Sequence, residues 1–384
     1  MIHRLILLSP ELSNDAGHQK EYVSLLADAA GTCGLETLAV TGPRGAELLP
    51  GIAVDERLPA FEPPAPTRGL VARVRRKLEA VRQARHRSEV YRHLFETRRA
   101  GDLTFLHTAP YPEIGVILDA WPGDGAGRLA VMLRSDHDDD PARMAQIRRA
   151  LRGAAKPGVS ILADTADLAQ ALGPLAPRPV QVAPAPWSGA TNTVARFPGR
   201  VGVFGARRRH KGYLRLPGLV QAARRREAGL HFVVHGYPHR ELRDDPELDQ
   251  AGEALRGLGV EVIEEILPSA DMQAHVAACA AILLPYDRHI YRYGSSGMFV
   301  QAVASGCGVV VPTGTWMQAE AARSGLERVF DVDIDDSDAT VTALVEAARI
   351  GAQPHRPGAA EAAWIEGHTP HGLLTRLLDA SRHD

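Results

Sequence analysis

A small-residue turn that leads into a helical pattern is the first place in this sequence where chemistry could occur. The stretch "YGSSGMFVQAVASG" runs from Tyr293 to Gly306 and follows an apolar run. A helix N-terminus offers unpaired N–H groups and roughly half a positive charge. The small residues that let a ligand approach this backbone are Gly294, Ser295, Ser296 and Gly297. The pattern suits a phosphate site, and it equally suits an ordinary serine-capped turn.

A cationic loop is the second candidate. It reads "VFGARRRHKG" from Val203 to Gly212, and an apolar strand pattern ends at Gly205. Ligands of α/β proteins bind at the carboxyl edge of the sheet, where such a loop would lie. Lysine and arginine there would neutralise a diphosphate. The candidate ligands are Arg207, Arg208, Arg209 and Lys211. The alternative is a solvated basic loop.

The counterpart of these loops in the first half of the chain is "NDAGHQKEY" from Asn14 to Tyr22. Gly17 lies where a helix would begin after the first strand. Neither this stretch nor the cationic loop has the G-x-G-x-x-G pattern, and the chain has no G-x-x-x-x-G-K-[ST] motif. A dinucleotide-dependent dehydrogenase and a P-loop NTPase are therefore disfavoured.

Two further stretches carry titratable side chains after predicted strands. His107 follows the strand pattern "LTFL", where it could act as a general base or could be structural. The acidic stretch "RSDHDDDP" (134–141) contains four aspartates and one histidine. A metal site is one interpretation, and a solvated loop or helix cap is the favoured one. Arg134 could instead face a ligand.

Strand-like apolar runs alternate with helical patterns along the whole chain. Predicted strands lie at 3–10, 35–42, 103–108, 128–134, 158–164 and 178–184, and then at 200–206, 230–236, 259–265, 280–286, 308–314 and 328–334. Strands that alternate with helices are typical of βαβ units and a parallel sheet. The sequence therefore predicts an α/β protein with two halves of similar size.

A linker rich in Pro, Gly, Ser and Thr separates the two halves at 183–200. The predicted domains span 1–190 and 196–370. A C-terminal helix at 371–384 follows, and we expect it to pack back on the first domain.

A basic segment interrupts the alternation at 68–99, with eleven Lys or Arg against three Glu. Val71, Val74, Leu78 and Val81 recur at helical spacing, which predicts a basic amphipathic helix or helix pair. Such a helix could dock on anionic lipid, or it could be a solvated face with its apolar stripe packed on the domain. A nucleic-acid partner is disfavoured because few aromatic residues interleave with the arginines.

Composition narrows the class of protein. The 384 residues carry a formal charge of −2 and are 45% hydrophobic, so a substantial core is expected and overall charge indicates no polyanionic partner. Three scattered cysteines suit a reducing compartment rather than a disulfide scaffold or a zinc site. No apolar run reaches about 18 residues, so we expect a cytoplasmic protein, either soluble or peripheral to the inner face of the membrane.

Taken together, these motifs resemble glycosyltransferases of the GT-B fold, in the family 4-like (group 1) branch. "VFGARRRHKG" is similar to the family's "vGrl…KG" pattern, with Lys211 and Gly212 at the KG. "AILLPYD" followed by "GSSGMFVQAVASGCGVVVP" is similar to its "llPy…E…G…lEAla.G.pVv" pattern. The resemblance covers nearly the whole chain. It implies two Rossmann-like domains whose parallel sheets face a central cleft.

Two family positions are replaced here. In the family, an arginine usually lies five residues before the lysine. That position is Ala206 here, so one of the three arginines that follow would have to take its place. The family's paired glutamates fall on Tyr293 and Gln301. Gln301 can still bond a ribose hydroxyl, whereas Tyr293 cannot replace a carboxylate.

The resemblance implies a metal-independent transferase that uses no cofactor and moves a hexose or related sugar in glycan biosynthesis. The second domain would bind a nucleotide-sugar donor, with UDP or GDP the favoured nucleotides, and residues 259–268 would contact the nucleobase. Lys211 and the 294–297 turn would hold the diphosphate from two sides. The first domain would bind a glycan, lipid-linked or small-molecule acceptor near His107, which would act as base or sugar contact. The alternative is a non-catalytic relative that binds a nucleotide, glycan or protein partner.

Overall fold

The structure of the protein is a computed structural model that describes residues 2–12, 18–59, 70–134, 140–187, 195–226, 228–237 and 245–382. The chain divides into two compact units. The first comprises Met1–Pro184 with Pro370–Asp384, and the second comprises Ala185–Thr369. Each unit contains one parallel β-sheet, so the predicted α/β class is confirmed.

The first unit is built on a seven-stranded sheet with the order β3-β2-β1-β4-β5-β6-β7. Its strands are β1 (Arg4–Ser9), β2 (Glu36–Thr41), β3 (Ala53–Asp55), β4 (Asp102–Leu106), β5 (Arg128–Leu133), β6 (Val159–Ala163) and β7 (Val180–Val182). The central strands are almost wholly buried, as parallel strands covered on both faces must be. The sequence pattern missed β3 alone, because a three-residue edge strand has too short an apolar run to stand out.

The second unit has a six-stranded sheet with the order β10-β9-β8-β11-β12-β13. Its strands are β8 (Phe197–Val203), β9 (His231–His235), β10 (Glu261–Ile263), β11 (Cys279–Leu283), β12 (Gly308–Pro312) and β13 (Val329–Val332). Renumbered from its own first strand, this is the 3-2-1-4-5-6 order of a Rossmann domain. The predicted Rossmann-like architecture is therefore confirmed for this unit.

Helices cover the sheets and connect the strands. In the first unit they are α1 (His18–Thr32), α2 (Gly45–Leu48), α3 (Leu70–Glu96), α4 (Tyr111–Ala120), α5 (Pro141–Ala150) and α6 (Ala166–Leu172). In the second they are α7 (Leu216–Arg225), α8 (Pro246–Gly257), α9 (Ser269–Ala277), α10 (Gly297–Ala304), α11 (Trp316–Ser324), α12 (Ser337–Gly351) and α13 (Ala359–Gly367). The chain then returns to the first unit as α14 (Pro370–Ala380).

The C-terminal helix α14 is held to the first unit by both apolar and polar contacts. Leu373, Leu374 and Leu377 are buried. At the end of the helix, the Ala380 carbonyl accepts a hydrogen bond from Ser160 Oγ at 3.1 Å, and the carbonyl of the following Ser381 accepts one from Arg128 Nε at 3.2 Å. These bonds tie the end of the chain to the amino ends of two strands of the first sheet.

The basic segment forms one long helix, α3, whose last turns pack against the domain. Tyr91 and Phe95 are buried. Tyr91 donates a hydrogen bond of 2.5 Å to buried Glu113, and Arg87 Nε lies 2.9 Å from the same carboxylate. Val81, one of the four apolar residues of the predicted stripe, is 46% exposed. Among the side chains that the structure describes, the packed ones lie at the C-terminal end of the helix, and the side chains of Val71, Val74 and Leu78 lie outside this description.

No helix among the described residues combines the length and the apolar character needed to cross a membrane.

We predict that the α3 anchor depends on Glu113. Replacement Glu113→Ala leaves Tyr91 without its acceptor and Arg87 without its counter-ion, and removal of one partner of a buried pair costs about 3 kcal/mol. Urea denaturation of both proteins measures the loss in the free energy of unfolding. The control Glu89→Ala, at an exposed position of α3 itself, should change it by less than about 0.5 kcal/mol. Equal effects of the two replacements would contradict the prediction.

Candidate functional site

The candidate site lies where the strand order of the second sheet reverses direction. β8 and β11 are neighbours in the sheet. The next strand in the chain after β8, which is β9, lies on one side of this pair, and the next strand after β11, which is β12, lies on the other side. The loops that leave their carboxyl ends therefore separate and leave a crevice, which is the usual ligand position in open α/β sheets. These two loops contain the cationic stretch 205–212 and the turn 293–297. The topology thus brings together the two strongest sequence candidates.

Close backbone contacts fix the two loops against each other. Gly212 has a φ of +74°, and a Cβ added there would lie 2.0 Å from the Pro285 carbonyl oxygen. The Asp287 amide donates a hydrogen bond of 2.8 Å to the His210 carbonyl. A residue with any side chain at position 212 would force the loops apart, so the geometry of the crevice depends on this glycine.

The four cations of the cationic loop differ in their partners. Arg207 is buried, with Nη2 2.5 Å from Asp249 Oδ1 and Nη1 3.7 Å from Glu264 Oε1. Arg209 makes a bidentate pair with Asp245, both bonds 2.7 Å long, and a third bond of 2.7 Å to Glu247. Both guanidinium groups are therefore neutralised within the protein.

Arg208 and Lys211 have no acidic partner among the residues that the structure describes. The Nε of Arg208 is buried and lacks a hydrogen-bond acceptor. Lys211 is half-buried. Its ammonium lies against the backbone of the loop at Gly205, since a Cβ added to that glycine would be 2.7 Å from Lys211 Nζ. Buried cations are normally paired, so this pair of charges is suited to an anion supplied by a ligand.

The protonation of Lys211 reflects this environment. Burial lowers the pKa of its ammonium to about 8, and the positive charge of Arg208 acts in the same direction. Lys211 is still mostly protonated at neutral pH, but its charge costs free energy until an anion arrives. Of the three arginines that could replace the family's missing one, Arg208 alone has an uncommitted charge beside Lys211.

The second half of the crevice is the N-terminus of α10. The helix begins at Gly297, as the sequence predicted, and Ser296 caps it by accepting a hydrogen bond of 3.2 Å from the Phe299 amide. The Gly297 position is open, with no atom within 4 Å of an added Cβ. The first-turn amides that Ser296 leaves uncapped belong to Gly297 and Met298, and a helix N-terminus with such amides attracts an anion.

Tyr286 connects the two halves. Its ring lies 5.7 Å from Lys211 Nζ, close enough for a cation–π contact. Its hydroxyl is hydrogen-bonded to the side chain of Ser296, and burial raises its pKa to about 12. The lysine and the helix cap are therefore held by one aromatic side chain. Tyr286 is not among the residues predicted from the sequence, although its place directly after "LLP" at a strand end was a visible signal.

The remaining predicted donor-site residues lie around this turn. Gln301 is on α10, one turn beyond the cap, and its Nε2 is buried without an acceptor among the described residues. Tyr293 is half-buried, with Arg292 over its ring at 5.1 Å. Gly294 and Ser295 precede the cap. The assignment of these residues to a donor remains a prediction.

In the first unit, His107 occupies the equivalent place, at the end of β4 where the order of the first sheet reverses beside β1. It is fully buried, its Nε2 lies 2.9 Å from Ser9 Oγ, and its ring stacks on Tyr22 at 4.8 Å. This geometry suits a structural histidine, because the buried imidazole presents no exposed nitrogen that could act as a base. The catalytic role of His107 remains a prediction. Gly17 lies outside the described residues.

The structure describes the acidic stretch at its two ends. Arg134 Nε lies 3.1 Å from buried Asp164, and Asp140 caps α5 by accepting from the amides of Ala142 and Arg143. Residues 135–139 lie outside the described residues. Elsewhere in the described part of the chain, no three acidic, histidine or cysteine side chains are grouped as metal ligands.

No protein-family model matches the sequence, and a comparison with curated proteins finds no match. The fold, in contrast, matches solved structures over the whole chain. The Anabaena protein HepE in complex with UDP has a TM-score of 0.69 at 14% identity and covers 99% of this chain and 100% of its own. A UDP-forming α,α-trehalose-phosphate synthase from Burkholderia xenovorans, in complex with glucose-6-phosphate, has a TM-score of 0.60 at 13% identity, with 99% and 100% covered.

A third similar structure is the N-terminal domain of a Candida albicans trehalose-6-phosphate phosphatase. Its TM-score is 0.71 at 10% identity, and it covers 100% of this chain and 97% of its own. The trehalose-phosphate synthase and HepE are glycosyltransferases of the GT-B fold, and the two parallel-sheet units of this chain have that fold. The predicted GT-B fold is thereby confirmed. At this level of identity the likeness establishes the fold alone.

We predict that Gly212→Ala separates the two loops and destabilises the second unit. The side chain meets the Pro285 carbonyl and occupies a positive φ, so we expect a loss of about 3 kcal/mol in the free energy of unfolding. Gly218→Ala is the matched control, because nothing lies within 4 Å of a Cβ there and alanine favours α7. Thermal and urea denaturation measure both. A Gly212→Ala protein as stable as the Gly218→Ala protein would contradict the prediction.

Proposed function

We propose that this protein is a glycosyltransferase that moves a sugar from a nucleotide-sugar donor to an acceptor. The observation that carries the proposal is the pair Arg208 and Lys211, which has no acidic partner among the described residues, with Lys211 over the ring of Tyr286, which also contacts the cap of α10. A diphosphate has the charge and the acceptor oxygens that such a site lacks. The GT-B fold adds support, because neighbours with that fold are glycosyltransferases.

The chemistry follows from the charges. When the glycosidic bond to the donor breaks, negative charge builds on the leaving diphosphate. Fixed cations and helix N–H groups stabilise that charge most strongly in the transition state, which is what accelerates the reaction. Lys211 and Arg208 would act on one side of the diphosphate, and the residues Gly294 to Gly297 on the other. In this scheme the protein supplies the charge that a metal ion supplies in other enzymes.

The donor nucleotide in this proposal is UDP or GDP. UDP is favoured, because the HepE structure contains UDP and the Burkholderia enzyme is named as UDP-forming. Gln301 would bond a ribose hydroxyl through its unpartnered amide, and Tyr293 would lie near the sugar. The acceptor would bind to the first unit, near His107, and could be a glycan, a lipid-linked sugar or a small molecule.

The protein would act in the cytoplasm. Contact with a membrane would come from α3, whose described polar face carries exposed Arg82 and Arg85. Neither arginine has an ion-pair partner among the described residues. Their charge would favour an anionic surface.

A second candidate function is binding without transfer. The replacement of two carboxylates by Tyr293 and Gln301 favours it, and so does the Candida neighbour, whose name places the fold in a phosphatase. In this case the second unit would still bind a nucleotide, but no sugar would be transferred or hydrolysed. Donor hydrolysis in the presence of a bound nucleotide separates the two candidates.

We predict that nucleotide binding depends on Lys211 and Arg208 and not on Arg209. Each of Lys211→Ala and Arg208→Ala removes a charge-assisted contact, so affinity for UDP or GDP should fall about 10- to 100-fold. Arg209→Gln removes the same charge from the same loop, but that charge is already neutralised, so affinity should change less than about twofold. Isothermal titration calorimetry measures all four proteins, and radiolabelled sugar transfer or hydrolysis is assayed in parallel.

Three results are informative. Loss of binding and transfer in the first two variants alone supports the proposal. Binding without transfer or hydrolysis in the wild type supports the second candidate. Equal losses in all three variants would show that only the net charge of the loop matters, and the assigned diphosphate site would be wrong.

We also predict that nucleotide affinity falls as the pH rises above 8. The pKa of Lys211 is about 8 in the unliganded protein, so its charge is present below that pH and is lost above it. Titrations at pH 7, 8 and 9 should show a decrease that approaches about tenfold per pH unit. Lys211→Arg keeps its charge over this range, so its affinity should be independent of pH. A wild-type affinity that is constant from pH 7 to 9 would contradict the assignment.

A further inference from the structure

A second histidine, His235, lies at the same carboxyl edge as the candidate diphosphate site. It is the last residue of β9, the strand next to β8, and it is 3% exposed. The following residue, Gly236, donates a backbone hydrogen bond of 2.9 Å to Ile263 on the neighbouring strand. His235 is therefore held at a fixed position, beside the crevice and below its surface.

The hydrogen bonds of His235 determine its tautomer. Nε2 lies 2.9 Å from the carbonyl oxygen of Glu265. A carbonyl oxygen only accepts, so Nε2 must carry the hydrogen. Burial lowers the pKa of the imidazole, and nearby His275 and Lys211 lower it further, while the bond to Glu265 acts in the opposite direction. The ring is then neutral at neutral pH, and its other nitrogen, Nδ1, is an acceptor without a hydrogen.

That acceptor is unsatisfied. Nδ1 is buried and has no hydrogen-bond donor among the described residues. Most buried polar side-chain atoms in proteins are paired, and an exception at a ligand crevice is evidence for a partner that arrives with the ligand. A phosphate oxygen cannot be this partner, because it too is an acceptor. The missing group must present an N–H or an O–H.

The surroundings of His235 connect it to the donor site. Its ring is 5.4 Å from the ring of Tyr237, whose carbonyl accepts a hydrogen bond from the Arg207 amide at the start of the cationic loop. Lys211 is close enough to His235 for its charge to affect the imidazole. An occupant of the diphosphate site that extends along the sheet edge towards β9 would therefore meet His235.

We propose that His235 is a specificity-determining residue of the donor site, and that its Nδ1 accepts a hydrogen bond from one N–H or O–H group of the nucleoside part of the bound nucleotide. The inference rests on the proposed function, since it requires a nucleotide at this edge. The group is a ribose hydroxyl or an N–H of the base. A nucleotide that presents an acceptor at this point would be rejected, because Nδ1 would then remain buried and unpaired.

Two replacements test the hydrogen-bonding roles of the two imidazole nitrogens one at a time. His235→Gln places an amide N–H near the position of Nε2 and can keep the bond to Glu265, but it supplies no acceptor at the position of Nδ1. His235→Asn is shorter and places its amide oxygen near the position of Nδ1. We expect His235→Gln to weaken UDP binding roughly tenfold and His235→Asn to weaken it less. Neither replacement should change the affinity for inorganic pyrophosphate, which has no nucleoside.

Modified ligands identify the bonded group. UDP is compared with its 2′-deoxy, 3′-deoxy and N3-methyl derivatives on the wild type and on His235→Gln by calorimetry. If the wild type prefers GDP, the series is made from GDP with methylation at N1, which carries the ring N–H of guanine. One derivative should lose roughly tenfold in affinity for the wild type. The same derivative and its parent should bind His235→Gln equally well, because the bond is already absent. The identity of that derivative distinguishes a ribose hydroxyl from a base N–H.

The outcomes also separate this inference from the proposed function. If nucleotides bind and binding requires Lys211, but every ligand modification costs the same in the wild type and in His235→Gln, the role of His235 is wrong and the donor site stands. Equal losses in His235→Gln and His235→Asn overturn the inference as well. If the wild type binds neither nucleotides nor pyrophosphate, both proposals fail together.

Discussion

The contact of Gly212 with the Pro285 carbonyl is the constraint on which the candidate site depends. Two loops leave adjacent strands whose onward connections run in opposite directions, so nothing in the sheet itself keeps them together. They approach because position 212 has no side chain and has a positive φ. Once they are in contact, Lys211 lies over the Tyr286 ring, and Tyr286 in turn bonds the cap of α10. One close backbone contact therefore aligns a cation with a helix N-terminus.

The ion pairs of the cationic loop then distinguish the cations with a structural role from those that could bind a ligand. Four cations follow one another in the sequence with a single histidine between them, and sequence alone treats them as equivalent. In the folded unit Arg207 and Arg209 each meet two carboxylates, all from the segment between β9 and the loop after β10. Arg208 and Lys211 meet none in the described part of the chain. A buried charge without a partner costs free energy, so Arg208 and Lys211 are suited to an anion that a ligand supplies.

Each unit has a buried histidine at the carboxyl edge of its sheet, and the two differ in their hydrogen bonds. His107 closes β4 and is satisfied by Ser9, with Tyr22 stacked on its ring. His235 closes β9, and among the described residues only one of its two nitrogens has a partner. Burial is nearly complete in both cases, so exposure does not separate them. The difference lies in hydrogen-bond partners, which come from residues far apart in the chain.

By itself, the sequence determined the α/β class, the two units and twelve of the thirteen strands found in the described residues, because buried parallel strands are continuous apolar runs between helices. It also determined where α10 begins, since a serine before an apolar helical pattern is a local capping signal. It missed β3, which is three residues long, and it missed Tyr286 and His235. Only the tertiary structure decided which cations are neutralised and which acceptors lack a donor. The carboxylates that pair with Arg207 and Arg209 are 36 to 57 residues away from them in the chain, and the carbonyl bonded to His235 is 30 residues away. No local sequence pattern encodes a contact over such a separation.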